Sequence, residues 1–167
     1  FKSRVYTPLN NSEKYTLVLM GRADFGLLGS YNKYKQTPFE TFHVGGDGMT
    51  GSYTYATETI GLRGYDNGAL TPYSDGRAYT RFSMELHFPF LLQPSSTIYG
   101  LAFVEGGNAW TSLENFNPFS LKRSAGVGVR IFLPMIGLMG IDWAYGFDKV
   151  QGEKGGGHFH FILGQEF

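Results

Sequence analysis

The sequence contains no cysteine. That excludes disulfides, thiolate metal centres and cysteine nucleophiles, and it leaves the redox character of the compartment open. No apolar run approaches the ~20 residues that a membrane-crossing helix needs. Net charge is missing as well: 14 Lys and Arg balance 14 Asp and Glu, so nothing points to nucleic acid or to an acidic partner. Helix formers in periodic runs are scarce. Glycine (24) and aromatic residues (15 Phe, 11 Tyr, 2 Trp) are abundant instead, in a chain of 167 residues that suffices for one domain with a core. The chain starts at Phe1, inside what reads as a strand, without an initiator Met or signal peptide, and is expected to be a piece of a longer protein.

A period of two runs through most of the chain, which is the strand period. Residues 2–8 alternate weakly, and Asn10-Asn11-Ser12 is a turn signal. In 14–29, Tyr15, Leu17, Leu19, Ala23, Phe25 and Leu27 share one face; Lys14, Thr16, Arg22, Asp24 and Gly26 share the other. In 77–90, Arg77, Tyr79, Arg81, Ser83, Glu85 and His87 oppose Ala78, Thr80, Phe82, Met84, Leu86, Phe88 and Phe90. That run exceeds the ~5–6 residues of an average globular strand and suits the ~9–11 that cross a bilayer at a tilt. Residues 97–111 form the next strand, with Glu105 beside Tyr99, Leu101 and Phe103, but polarity alone does not orient it. In 122–133, Arg123, Ala125, Val127, Val129 and Ile131 oppose Ser124, Gly126, Gly128 and Arg130. In 138–147, Met139, Ile141, Trp143, Tyr145 and Phe147 oppose Gly140, Asp142, Ala144 and Gly146. The last run, 157–167, sets Phe159, Phe161, Leu163 and Phe167 against His158, His160, Gly164 and Glu166.

About seven strands result, and their connections alternate between short (9–13, 90–96, 134–137) and long (30–76, 112–121, 148–156). Sorting of this kind is how a transmembrane barrel distributes tight turns and long loops to its two ends. A β-sandwich gives no reason for it. Aromatics near strand ends suit an interfacial girdle, and the opposite faces mix charges of both signs with glycine, as a lumen does. The expected fold is all-β, an antiparallel transmembrane β-barrel, with a soluble sandwich as the alternative. The segment 30–76 is too rich in Phe39, Phe42, Tyr53, Tyr55, Ile60 and Tyr65 for a solvated tether. At its heart lies Gly61-Leu62-Arg63-Gly64-Tyr65.

In combination these stretches resemble one family. Gly45-Gly46-Asp47 with Gly61-Leu62-Arg63-Gly64-Tyr65 is similar to the paired loop motif of BamA-type outer-membrane assembly factors, here with a wider spacing. Phe103-Val104-Glu105-Gly106-Gly107-Asn108-Ala109-Trp110 resembles a signature strand of that family, with Glu in place of the commoner Asp. Residues 124–130 and 140–145 resemble the two following strands. The stretch Phe159-His160-Phe161-Ile162-Leu163-Gly164-Gln165-Glu166-Phe167 resembles the terminal signal strand. Each motif alone is weak, and all five stand in the family's order.

The resemblance implies the C-terminal part of a sixteen-strand barrel in the bacterial outer membrane, residues 1–167, with upstream strands and periplasmic POTRA domains outside this chain. It implies that 30–76 is an extracellular loop folded into the lumen, where Arg63 pairs with acidic side chains, Glu105 by its motif and Glu85 by its face. A guanidinium suits that role, being always charged and able to hold carboxylates in a fork. Gly61 and Gly64 would allow a tight backbone there. The last strand, with Phe159, Phe161, Leu163, Gly164 and Phe167, would be a weakly paired lateral gate that accepts client strands. A barrel-closing strand serving only the protein's own assembly is the alternative. The implied partners are outer-membrane lipid, unfolded β-barrel clients and periplasmic assembly lipoproteins, with self-association as a further way to cover open edges.

No enzyme is expected. His158 and His160 share a face, but a His-x-His pair without a third ligand is a poor metal site. Glu85 and Asp142 lack an accompanying nucleophile, and Gly155-Gly156-Gly157 lacks the Lys-Ser/Thr of a phosphate loop. No cofactor is implied. A secretion pore of the same superfamily, a passive porin and a structural or adhesive barrel are the other functions weighed.

Overall fold

Long alternating strands dominate the computed structural model, which describes residues 1–10, 16–29, 40–48, 57–71, 73, 75–93, 95–150 and 156–164. The strands are β1 (Lys2–Pro8), β2 (Val18–Leu27), β3 (Thr41–Val44), β4 (Thr57–Ile60), β5 (Ala78–Gln93), β6 (Ser96–Trp110), β7 (Lys122–Leu133), β8 (Gly137–Gly146) and β9 (Gly157–Leu163). A 3-10 turn, Leu113–Asn115, follows β6. Seven strands make one antiparallel sheet in the order β1-β2-β5-β6-β7-β8-β9. The two short strands β3 and β4 pair with each other in parallel.

The pleat gives the sheet two opposite faces. One buries Met20, Asp24, Arg81, Ser83, Glu85, Phe103, Glu105, Ser124, Arg130, Asp142 and His160. The other exposes Val5, Met84, Val104, Val127, Ile141, Trp143, Phe159 and Phe161. A water-soluble sheet buries its apolar face and wets its charges. Here the order is inverted, and a broad bare apolar face over buried charge is stable only in a lipid solvent. Pairing with β5 also orients β6, which polarity did not: Ser83 lies across from Glu105, and Val104 faces outward.

Three expectations need correction. The segment 30–76 is not irregular throughout, because it contains β3 and β4. Four-residue strands are too short to show a period. The connection expected at 90–96 is shorter than that: β5 continues to Gln93 and β6 starts at Ser96. The register passes from Pro89↔Tyr99 to Leu91↔Ile98, so Phe90 is the extra residue of a bulge. A bulge is where a sheet tolerates the missing N–H of proline. Lastly, β9 ends at Leu163 and Gly164 takes a φ of +73°. Phe167, like Phe39, Tyr53 and Tyr55, lies outside the described residues.

The β3–β4 unit packs on the charged face of the sheet. Phe42, Val44, Ile60 and Tyr79 form its core, with Leu28, Leu70 and Ala109 against them. Phe42 meets Tyr79 edge-on at 4.6 Å. Lys2 Nζ donates to Glu58 Oε1 at 2.5 Å, which ties β4 to the first strand of the sheet. Replacing Phe42 by Ala removes a buried ring, at about 3–5 kcal/mol for such a truncation. The expected outcome is faster proteolysis and amide exchange within 40–71, with the β5–β6 ladder unchanged.

Candidate functional site: an arginine clasped by three strands

The two halves of the loop motif lie side by side. Gly46 N donates to Leu62 O at 3.1 Å and Leu62 N to Gly46 O at 3.0 Å, an isolated antiparallel bridge next to the parallel β3–β4 pair. Gly45 and Gly46 both have positive φ. Asp47 N donates to the Asn67 side chain at 3.1 Å. The first half of the motif therefore props up 61–67.

Arg63 is 2 % exposed and sits over the charged face of the sheet. Its Nε and one terminal nitrogen donate to Glu105 Oε1 at 3.1 and 2.5 Å. That same nitrogen bonds Glu85, and the other reaches Asp142 Oδ2 at 3.0 Å. The Arg63 backbone N–H adds a bond to Glu105 Oε2 at 2.9 Å. The guanidinium carbon stands 3.6 Å from the centre of the Phe103 ring, a cation–π contact. One side chain from the loop thus holds carboxylates from β5, β6 and β8.

Those carboxylates are held in turn. Ser83 Oγ donates to Glu105 Oε1 at 3.0 Å, and His87 lies 2.8 Å from Glu85 Oε2. Arg130 binds Asp142 through two nitrogens at 2.5 and 2.7 Å. Beside this cluster stands a second one. Arg81 donates to Gly61 O at 2.5 Å and also bonds Asp24, which Arg22 Nε reaches at 2.8 Å. Burial by itself would lower the pKa of Arg63. The charges of Glu105, Glu85 and Asp142 outweigh it and raise the pKa above its usual value.

The loop tip is tied by backbone as well. Gly64 N donates to His160 Nε2 at 3.0 Å, and the Tyr65 hydroxyl donates to Arg123 O at 2.7 Å. Gly64 has φ +88°, and a Cβ there would stand 2.8 Å from the Ser124 Cβ, so only glycine fits. Gly61 needs no such freedom, since its φ is not positive. Its part is to offer a carbonyl to Arg81.

Glu105 and Glu85, the partners expected for Arg63, both bond it. Asp142, His160, Phe103 and Arg81 are further partners of the loop to which the sequence does not point. The register shows why Asp142 fits: Gly128 lies across from it, and a Cβ there would stand 1.8 Å from Asp142 Oδ1. The aspartate needs a neighbour without a side chain. On β9, Phe159, Phe161 and Leu163 are exposed on the bare face, and β8 is the strand's neighbour in the sheet. No group of three His, Asp or Glu suited to a metal occurs among the described residues.

Removing the Arg63 guanidinium leaves carboxylates buried with too few cations, a loss of about 3–5 kcal/mol for a broken buried pair. Arg63→Ala should lower the denaturation midpoint of the full-length protein in lipid or detergent. Arg63→Lys keeps the charge but cannot reach several carboxylates as a planar fork, and should recover only part of the loss.

No curated protein matches the chain. A family model does, described as the Omp85 superfamily domain, over residues 1–167. An antiparallel seven-stranded sheet with one exposed apolar face and one charged, loop-covered face fits part of a barrel of that superfamily. The chain belongs to the Omp85 superfamily of outer-membrane β-barrel insertases and transporters.

Proposed function

We propose that this domain belongs to a BamA-type assembly factor, which folds β-barrel proteins and inserts them into the bacterial outer membrane. The observation that carries the reading is the clasp of Arg63 on Glu85, Glu105 and Asp142. A loop held across the lumen by buried charge keeps three strands in fixed register, and a passive porin has no use for a plug so firmly held. The second support is β9, an edge strand with an apolar outer face that ends on a glycine in the left-handed region. Such an edge accepts a client strand by β-augmentation.

In this reading no nucleotide and no covalent chemistry take part. Strand pairing and local disturbance of the bilayer supply the free energy. The partners are outer-membrane lipid, unfolded barrel clients and periplasmic assembly lipoproteins, and POTRA domains deliver the clients. A secretion pore of the same superfamily is the second reading, because the same clasp would hold a plug that a soluble partner displaces.

The test uses the full-length protein reconstituted in liposomes with an unfolded outer-membrane barrel as client. Wild-type protein should speed client folding, and Arg63→Ala should slow it by at least tenfold with the protein still inserted. Wild-type liposomes that leave client folding at its spontaneous rate, yet translocate a soluble protein, would replace the assembly reading with the secretion pore.

A further inference from the structure

Strand β9 has a second attachment besides its ladder to β8. Its ladder to β8 covers seven residue pairs, from Met139↔Leu163 to Tyr145↔Gly157. Its inward side chains make the other attachment. His160 Nε2 accepts the Gly64 N–H at 3.0 Å, and His158 Nδ1 lies 3.1 Å from Asp66 Oδ1. The two imidazoles stand on the same face, two residues apart, with ring centres 6.3 Å apart. Both end on the stretch that begins with Arg63.

We propose that His160, assisted by His158, latches β9 to the loop tip, so that the Arg63 clasp and the last strand hold or release together. The proposal rests on the gate reading above and adds the residues through which loop and gate are coupled. Three features make the coupling stiff. Gly64 directly follows Arg63, whose backbone N–H is itself bonded to Glu105 Oε2 at 2.9 Å, so the donating N–H is anchored next to the clasp. The Gly64 backbone is wedged between Ser124 and Gly146, where even a methyl group has no room. Tyr65, the next residue, is bonded to the β7 backbone. The loop cannot slide along β9 and stay bonded.

The two histidines are unequal. His160 is 6 % exposed, and its bond satisfies a buried backbone N–H. Losing an acceptor there leaves a donor stranded away from water. Asp66 has 70 % of its side chain exposed, and a contact of that kind contributes little. His160 is therefore the principal positioning residue. To accept, Nε2 must carry no proton, which fixes the neutral ring with its hydrogen on Nδ1.

The test is amide hydrogen exchange of the full-length protein in lipid nanodiscs, without client. Gly164 N donates to Leu138 O at one end of the β8–β9 ladder, and Gly146 N to Gly156 O at the other. Alternation places His158, His160 and Ile162 in the hydrogen-bonded pairs. His160→Leu should speed exchange of those three amides by about tenfold, the loss expected for one stranded buried donor. The β5 and β6 amides should be unchanged. His160→Gln, which keeps an acceptor at that reach, should restore protection. Arg63→Ala should speed the same three amides, and adding His160→Leu to it should have no further effect. His158→Leu should give a smaller rise and serves as the test should His160→Leu not fold. Unchanged β9 exchange in His160→Leu would overturn the latch. So would effects of Arg63→Ala and His160→Leu that multiply, since independent contacts behave so. Exchange is read with no client present, so a failure of client folding leaves this result standing, and the reverse also holds.

Discussion

A guanidinium away from water is tolerable only inside a cage of carboxylates, and the cage dictates the rest of this structure. Arg63 needs Glu85, Glu105 and Asp142 at one point, and these come from three strands that are not all neighbours. β5, β6, β7 and β8 must therefore keep their register to within one residue. A slip of one residue in β5, β6 or β8 would turn that strand's carboxylate to the opposite face of the sheet. The same requirement explains the inverted sheet, with charge gathered under the loop and apolar side chains facing outward.

The loop spans the whole width of the sheet. Lys2 of β1 meets Glu58 of the loop at one edge, and His158 and His160 of β9 meet Asp66 and Gly64 at the other. Between these edges lie Tyr79, the carboxylate cage and the β7 backbone contact of Tyr65. An element that touches both edges of an incomplete barrel is well placed to sense whether those edges are held.

Much of the sheet was legible because lipid and lumen impose opposite polarities on alternate residues. The runs at 122–133 and 138–147 fall within one residue of β7 and β8. Arg63, Glu85 and Glu105 were legible for two separate reasons, the face on which Glu85 falls and the motif that contains Glu105. The loop's own strands were hidden, because β3 and β4 pair in parallel through segments far apart and are too short to show a period. The proline pair around 89–94 read as a turn, whereas Pro89 sits in a bulge. Asp142 escaped as a partner because its role depends on β8 lying two strands beyond β6, a fact of topology that no local pattern contains. The histidines of β9 raised the question of a metal; in the structure His160 accepts the Gly64 N–H and His158 lies beside Asp66.

Arg63 lies buried on the charged face of the sheet, against Glu105 of β6. The absence of cysteine allows a direct test, with Arg63→Cys and Glu105→Cys introduced together into the full-length protein in intact membranes. The account predicts that the two thiols form a disulfide and stay closed to a membrane-impermeant surface reagent. Reduced thiols, with the one at position 63 labelled from outside, would place the loop outside the barrel and contradict the clasp.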